Sequence, residues 1–155
     1  MTHPIRQLMN LCRLREAEAP IVASLSLEET GGADISMKEL RDNVRLVLKM
    51  WQQSGTGIVN AETGISIKIS AVGINKTLRS AEPLLRIHYA IPNIIRSGIF
   101  VEAMPPRPDD EVTLQQVLKI EAKVALDGKT YPILAFIKQQ QAGNFYYCIA
   151  IRIGV

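Results

Sequence analysis

The chain reads as an α+β fold, with N-terminal helices packed on a twisted antiparallel sheet that ends in a three-strand meander. Three observations predict it. Apolar residues recur at helical spacing from Met37 to Trp51, apolar and polar residues alternate from Val117 to Leu126, and Asp127-Gly128 marks a tight turn between two strand-like runs. With 155 residues, 47% of them apolar, one core suffices and a single domain over 1–155 is expected.

Taken in order, Pro4 to Ala17 sets Ile5, Leu8, Met9 and Cys12 on one helical stripe, so residues 1–19 are expected to form an amphipathic helical extension. After Pro20, the run IVASLSL alternates as a half-buried strand does, and EETGGAD breaks it. Ser36 with Glu39 is a capping box, which opens a helix carrying Met37, Leu40, Val44, Val47, Leu48 and Trp51 toward a core. The SGTG segment stops it. Gly57 to Asn60 and Ile65 to Ser70 follow as two short strands around AETG, with Ser66, Lys68 and Ser70 sharing a face. A helical region from Ser80 to Ser97 tolerates Pro83 in its first turn, breaks near Pro92 and stops at Gly98. PPRPDDE is a loop.

Three strands close the chain. Leu118, Ile120, Ala122, Val124 and Leu126 alternate with Lys119, Glu121 and Lys123; Ile133 to Ile137 is apolar on both faces, as a central strand is. The last strand places Phe145, Tyr147, Ile149, Ile151 and Ile153 on one face, with Tyr146, Cys148, Ala150 and Arg152 on the other.

Cys12 and Cys148 lie among apolar neighbours and read as buried hydrophobes, which suits a reducing compartment. No stretch has a signal peptide's apolar core or the roughly 18 apolar residues of a membrane helix, so a cytoplasmic protein with no membrane partner is expected. There is no CxxC, no paired-histidine motif, no phosphate-binding loop and no nucleophile elbow. No metal and no cofactor are expected. The net charge of +3 is uneven: between Gly64 and Gly98, Lys68, Lys76, Arg79, Arg86 and Arg96 stand against Glu82 alone. Such a surface suits phosphates or an acidic protein patch, and it also fits an ordinary solvated face.

A helix ending near Trp51, then GIVNAETGISIKIS, a Lys-Thr-Leu segment at 76–78, a helix bearing a histidine and a closing DGKTY hairpin together resemble a recurring phage domain. It is the large polyvalent protein-associated type, similar also to the C-terminal region of Mu-like head morphogenesis proteins and grouped with the barnase, EndoU, colicin and RelE-like nucleases. The resemblance covers 20–155 and is firmest at Asn60, Thr63, Gly64, Ile67, Ser70, Lys76 and Thr77. It implies helices on a twisted sheet and, in nuclease members, metal-independent cleavage of RNA. Such cleavage needs a base, an acid and cations at the phosphate. His88 is then the candidate base, Lys76 and Arg79 the phosphate holders, and Ser70 and Thr77 the hydroxyl donors. His88 also shares helical spacing with Leu84, Leu85 and Ile91, which suits a core histidine, and Ser70 and Thr77 suit local backbone caps.

Two functions follow. In the first, a phage or mobile-element protein binds and inhibits a host defence protein or ribonucleoprotein without catalysis, as an anti-CRISPR protein does. Lys68, Lys76, Thr77, Arg79 and Arg86 would then form its binding surface. In the second, the chain is a metal-independent ribonuclease or RNA-binding domain. The first is favoured, because there is no second catalytic histidine or compact acid and base pair, and 155 residues leave no room for a delivery segment or an inhibitory domain.

Overall fold

A computed structural model describes residues 19–70, 74–75, 78–105, 108, 114–140 and 146–154. The expected helix over Pro4 to Ala17 lies outside them. In chain order the elements are β1 (Ile21–Leu25), α1 (Met37–Gln53), β2 (Ile58–Val59), β3 (Ser66–Ile69), α2 (Glu82–Ile87), a 3-10 turn (His88–Ala90), α3 (Ile91–Ser97), β4 (Ile99–Met104), β5 (Leu114–Leu126), β6 (Lys129–Gln140) and β7 (Tyr146–Ile153). The fold is α+β, and β5, β6 and β7 form the expected antiparallel meander.

The sheet as a whole is mixed. Its order is β1-β5-β6-β7-β3-β2, and β1 lies parallel to β5 and β3 parallel to β7. The fully antiparallel sheet expected from sequence is corrected at these two joints. Long intervening segments allow either direction, and local alternation does not encode which. One edge of β5 is taken by β6 along its length, so β4 and β1 share the other edge end to end, at 117–121 and 123–126.

Local chemistry explains each element. Ser36 caps α1 by accepting the Glu39 N–H at 3.1 Å. The β5–β6 turn has positive φ at both Asp127 (49°) and Gly128 (80°), the geometry that a two-residue hairpin requires. Pro83 and Pro92 each sit in a first helical turn, where their missing N–H costs nothing, and the chain between them tightens to the 3-10 turn. Gly98 ends α3 in extended backbone; a Cβ there would lie 2.5 Å from Ile94 O and 2.4 Å from Ile120 Cγ2, so close approach demands glycine.

Helices α1, α2 and α3 cover one face of the sheet. Leu40, Val44 and Leu48 of α1, Leu85 and Ile87 of α2, and Ile91, Ile94 and Ile95 of α3 are buried there with Leu118, Ile120, Val124, Ile133, Ala135 and Ile137. Trp51 packs at the rim. One detail departs from simple alternation. Phe136 pairs with Ala150 but Ile137 pairs with Cys148, which leaves Ile149 as a bulge and turns both Cys148 and Ile151 inward. The expected split of the last strand into two faces therefore changes sides at residue 149, with Tyr146 buried alongside Cys148.

Candidate cationic sheet face

Inward-facing residues on the central strands fix which residues face outward. On β5 these are Lys119, Glu121 and Lys123; on β6, Pro132, Leu134, Phe136 and Lys138; on β7, Ala150 and Arg152; on β3, Ser66 and Lys68. Among the described residues no helix packs on this side.

Cross-strand register sets the geometry. Lys119 lies opposite Phe136, Glu121 opposite Leu134, and Lys123 opposite Pro132. Leu134 and Phe136 are in turn opposite Arg152 and Ala150. Facing residues on adjacent strands are about 5 Å apart and same-face neighbours along a strand about 7 Å apart, so Lys119, Lys123, Lys138 and Arg152 ring an apolar centre. The Arg152 guanidinium lies over the Phe136 ring, 5.2 Å from its centroid. Lys119 Nζ leans outward to Glu102 Oε2 at 3.8 Å.

Charge is concentrated here. Among the described residues five Lys and Arg (Lys68, Lys119, Lys123, Lys138, Arg152) and two Glu (Glu102, Glu121) stand on the outer face of the strands. The other described residues carry eight basic and eight acidic side chains, so among the described residues the positive excess stands on this face.

The residues singled out from sequence are not brought together. Lys76 and Thr77 lie outside the described residues. Lys68 is on the outer sheet face, and Arg79 is exposed in the turn before α2. Ser70 donates its Oγ–H to Cys148 O at 3.2 Å, a structural link between β3 and β7. Arg86 is only 1% exposed, with every guanidinium N–H engaged: Nε and Nη2 meet Glu82 at 3.0 Å, Nη1 donates to Leu27 O and Thr30 Oγ1, and Nη2 also donates to Gly32 O at 2.8 Å. It clamps the 27–32 loop onto α2 and offers nothing to a ligand. This corrects its assignment to the cationic surface.

His88 is 1% exposed. Its Nδ1–H donates to Leu84 O at 2.6 Å, and Nε2 has no hydrogen-bond partner among the described residues. Burial pushes its pKa down to about 4, so the ring is neutral at pH 7. A histidine sealed under the helices does not meet a 2′-hydroxyl, and of its two sequence-level roles the core one describes it. Cys148 is likewise inert as a nucleophile, its thiol pushed up to about 12 by burial. Among the described residues no group of three or more His, Cys, Asp or Glu is arranged to hold a metal ion.

The most distinctive sequence stretch has a structural job. Asn60 is fully buried, donates from Nδ2 to Ile95 O (2.7 Å) and Gly98 O (3.0 Å), and accepts the Thr63 N–H at Oδ1 (3.0 Å). Ala61 N–H adds a bond to Arg96 O at 2.8 Å. Gly64, with φ at 73°, turns the chain so that its N–H reaches Asn60 O. Together these fasten the β2–β3 turn to the end of α3.

Sequence reasoning did not assign Lys119, Glu121, Lys123, Phe136, Lys138 or Arg152 to the binding surface. The polar half of the 117–126 alternation was the available signal.

Residues 35–147 match the profile of large polyvalent protein-associated domain 3. No curated protein matches the chain, and no solved structure does.

Proposed function

We propose that this chain, which belongs to the large polyvalent protein-associated domain 3 family, is a non-cleaving binding module for single-stranded nucleic acid, RNA first, and that the outer sheet face is its binding surface. One observation carries the reading: among the described residues, the excess of positive charge is gathered around an apolar and aromatic centre on a sheet face that no described helix covers. Single strands are held by cations that follow the phosphates and by planar groups on which bases stack. Lys68, Lys119, Lys123 and Lys138 supply the first, and the Arg152 guanidinium over Phe136 supplies the second.

Binding rather than cleavage is favoured by His88, which is buried and held neutral. We place the chain as a non-cleaving relative of the barnase, EndoU, colicin and RelE-like nucleases on the resemblance in residues 60–79. The target we propose is exposed RNA of a host defence ribonucleoprotein, which a phage-type protein would block by occupancy.

The test is fluorescence anisotropy with a labelled 12-mer of uridine, the matching DNA and an RNA duplex. The single strands should bind more tightly than the duplex, and Lys119→Gln with Lys123→Gln should weaken them by about tenfold. Arg41→Gln with Lys49→Gln, both exposed on α1 in the helical layer, should change little. Equal losses from the two pairs, or tight capture of an acidic protein that RNA does not displace, would refute the reading.

A further inference from the structure

A groove of about 560 Å³ opens on the outer face, walled by Lys119, Glu121, Lys123, Pro132, Leu134 and Gly154. That volume is larger than a nucleobase. Gly154 closes one side against β6, its N–H bonded to Pro132 O at 2.7 Å, and a Cβ there would sit 3.3 Å from Leu134 Cγ.

Glu121 is the unexpected member. A carboxylate between two ammonium groups on the same strand face opposes phosphate binding, yet it lines the groove. Across the strands its neighbours are apolar, Ile99 on β4 and Leu134 on β6. The ion pair that Lys119 makes is with Glu102, at 3.8 Å.

We infer that the groove is a base-recognition pocket in which Glu121 selects guanine. An ionised carboxylate only accepts hydrogen bonds and has two oxygens side by side. Of the four RNA bases, guanine alone presents two adjacent donors on its Watson–Crick edge, N1–H and the 2-amino group, which match that pair of oxygens. Cytosine and adenine present one amino donor beside a ring acceptor, and uracil presents a single donor between two carbonyls. Leu134 and Pro132 provide the apolar surface against which the ring packs, and Lys119 and Lys123 flank the position of its phosphates. Single strands leave the Watson–Crick edge open to such reading, and duplexes do not.

The inference rests on the proposed single-strand binding, and one experiment separates the two. Four labelled 12-mers are compared by anisotropy: all-uridine, and the same strand with one central guanosine, adenosine or cytidine. The guanosine strand should bind about tenfold more tightly than the other three. Glu121→Gln exchanges one oxygen for an amide at the same volume, and it should erase that preference while leaving the all-uridine affinity equal or higher. Circular dichroism of the variant checks its fold, and Glu102→Gln, on the far side of Lys119, should keep the preference. If all-uridine RNA fails to bind, the single-strand reading falls and the pocket with it. If it binds and the four strands are equal, or if the guanosine preference survives Glu121→Gln, the pocket alone is overturned.

Discussion

Replacing His88 with leucine should remove most of the protein's sensitivity to mild acid. In the folded chain the ring is sealed, its Nδ1–H is committed to Leu84 O at 2.6 Å, and among the described residues Nε2 has no hydrogen-bond partner to receive a second N–H. Protonation therefore places a charge in the core, and its pKa falls from 6.5 to about 4. Unfolded, the same histidine takes up its proton near pH 6.5. The folded state thus keeps its full stability above that pH. As the pH falls the unfolded chain gains a proton that the folded one refuses, and stability drops until the folded pKa is passed. Linkage over this interval gives a loss of about 2 kcal/mol by pH 5 and about 3 kcal/mol below pH 4. Urea unfolding at pH 7 and pH 5, followed through the single Trp51, measures it. Leucine fills a similar volume, and Leu84 O keeps the backbone N–H of His88 as a donor, so the variant should fold. Wild type should lose about 2 kcal/mol more than His88→Leu between the two pH values. Equal losses would refute the buried, neutral histidine and reopen a catalytic role for it.

The remaining structural predictions concern buried polar clasps. Arg86→Gln should destabilise by about 3 kcal/mol in chemical denaturation, because Leu27 O, Gly32 O and Thr30 lose charge-assisted donors in a closed setting. Asn60→Ala should cost about 2–4 kcal/mol and raise hydrogen exchange at the Thr63 amide, whose acceptor it removes. Gly98→Ala should cost about 2 kcal/mol or more, since the added methyl meets both backbone and Ile120; calorimetry reads the fall in Tm.

The parts of this fold that were legible in sequence are those that local chemistry decides. Ser36 and Glu39 announce the start of α1, Asp127-Gly128 announces its hairpin, and Pro83, Pro92 and Gly98 mark the helix limits. Strand direction was not legible: β1 joins β5 and β3 joins β7 across most of the chain, and nothing local selects parallel pairing. The bulge at Ile149 was hidden for a related reason, because it is defined by the partner strand.

The site was harder to read than the fold. Arg86 carries a charge and so looks like surface, yet its burial depends on carbonyls from a loop more than fifty residues away. Proximity in sequence grouped Lys68, Arg79 and Arg86, whereas sheet order groups Lys68 with Lys119, Lys123, Lys138 and Arg152. Only Lys119, Glu121 and Lys123 were visible together, as the polar half of one alternating strand.

The salt dependence of RNA binding tests the central claim most directly. Each neutralised phosphate on a single strand contributes about −0.7 to the slope of log K against log salt, so five cations acting together give a slope near −3.5. Substituting Lys68, Lys119, Lys123, Lys138 and Arg152 by glutamine should bring that slope close to zero, with the fold retained by circular dichroism. A slope unchanged by all five substitutions would place RNA elsewhere on the molecule and contradict the account.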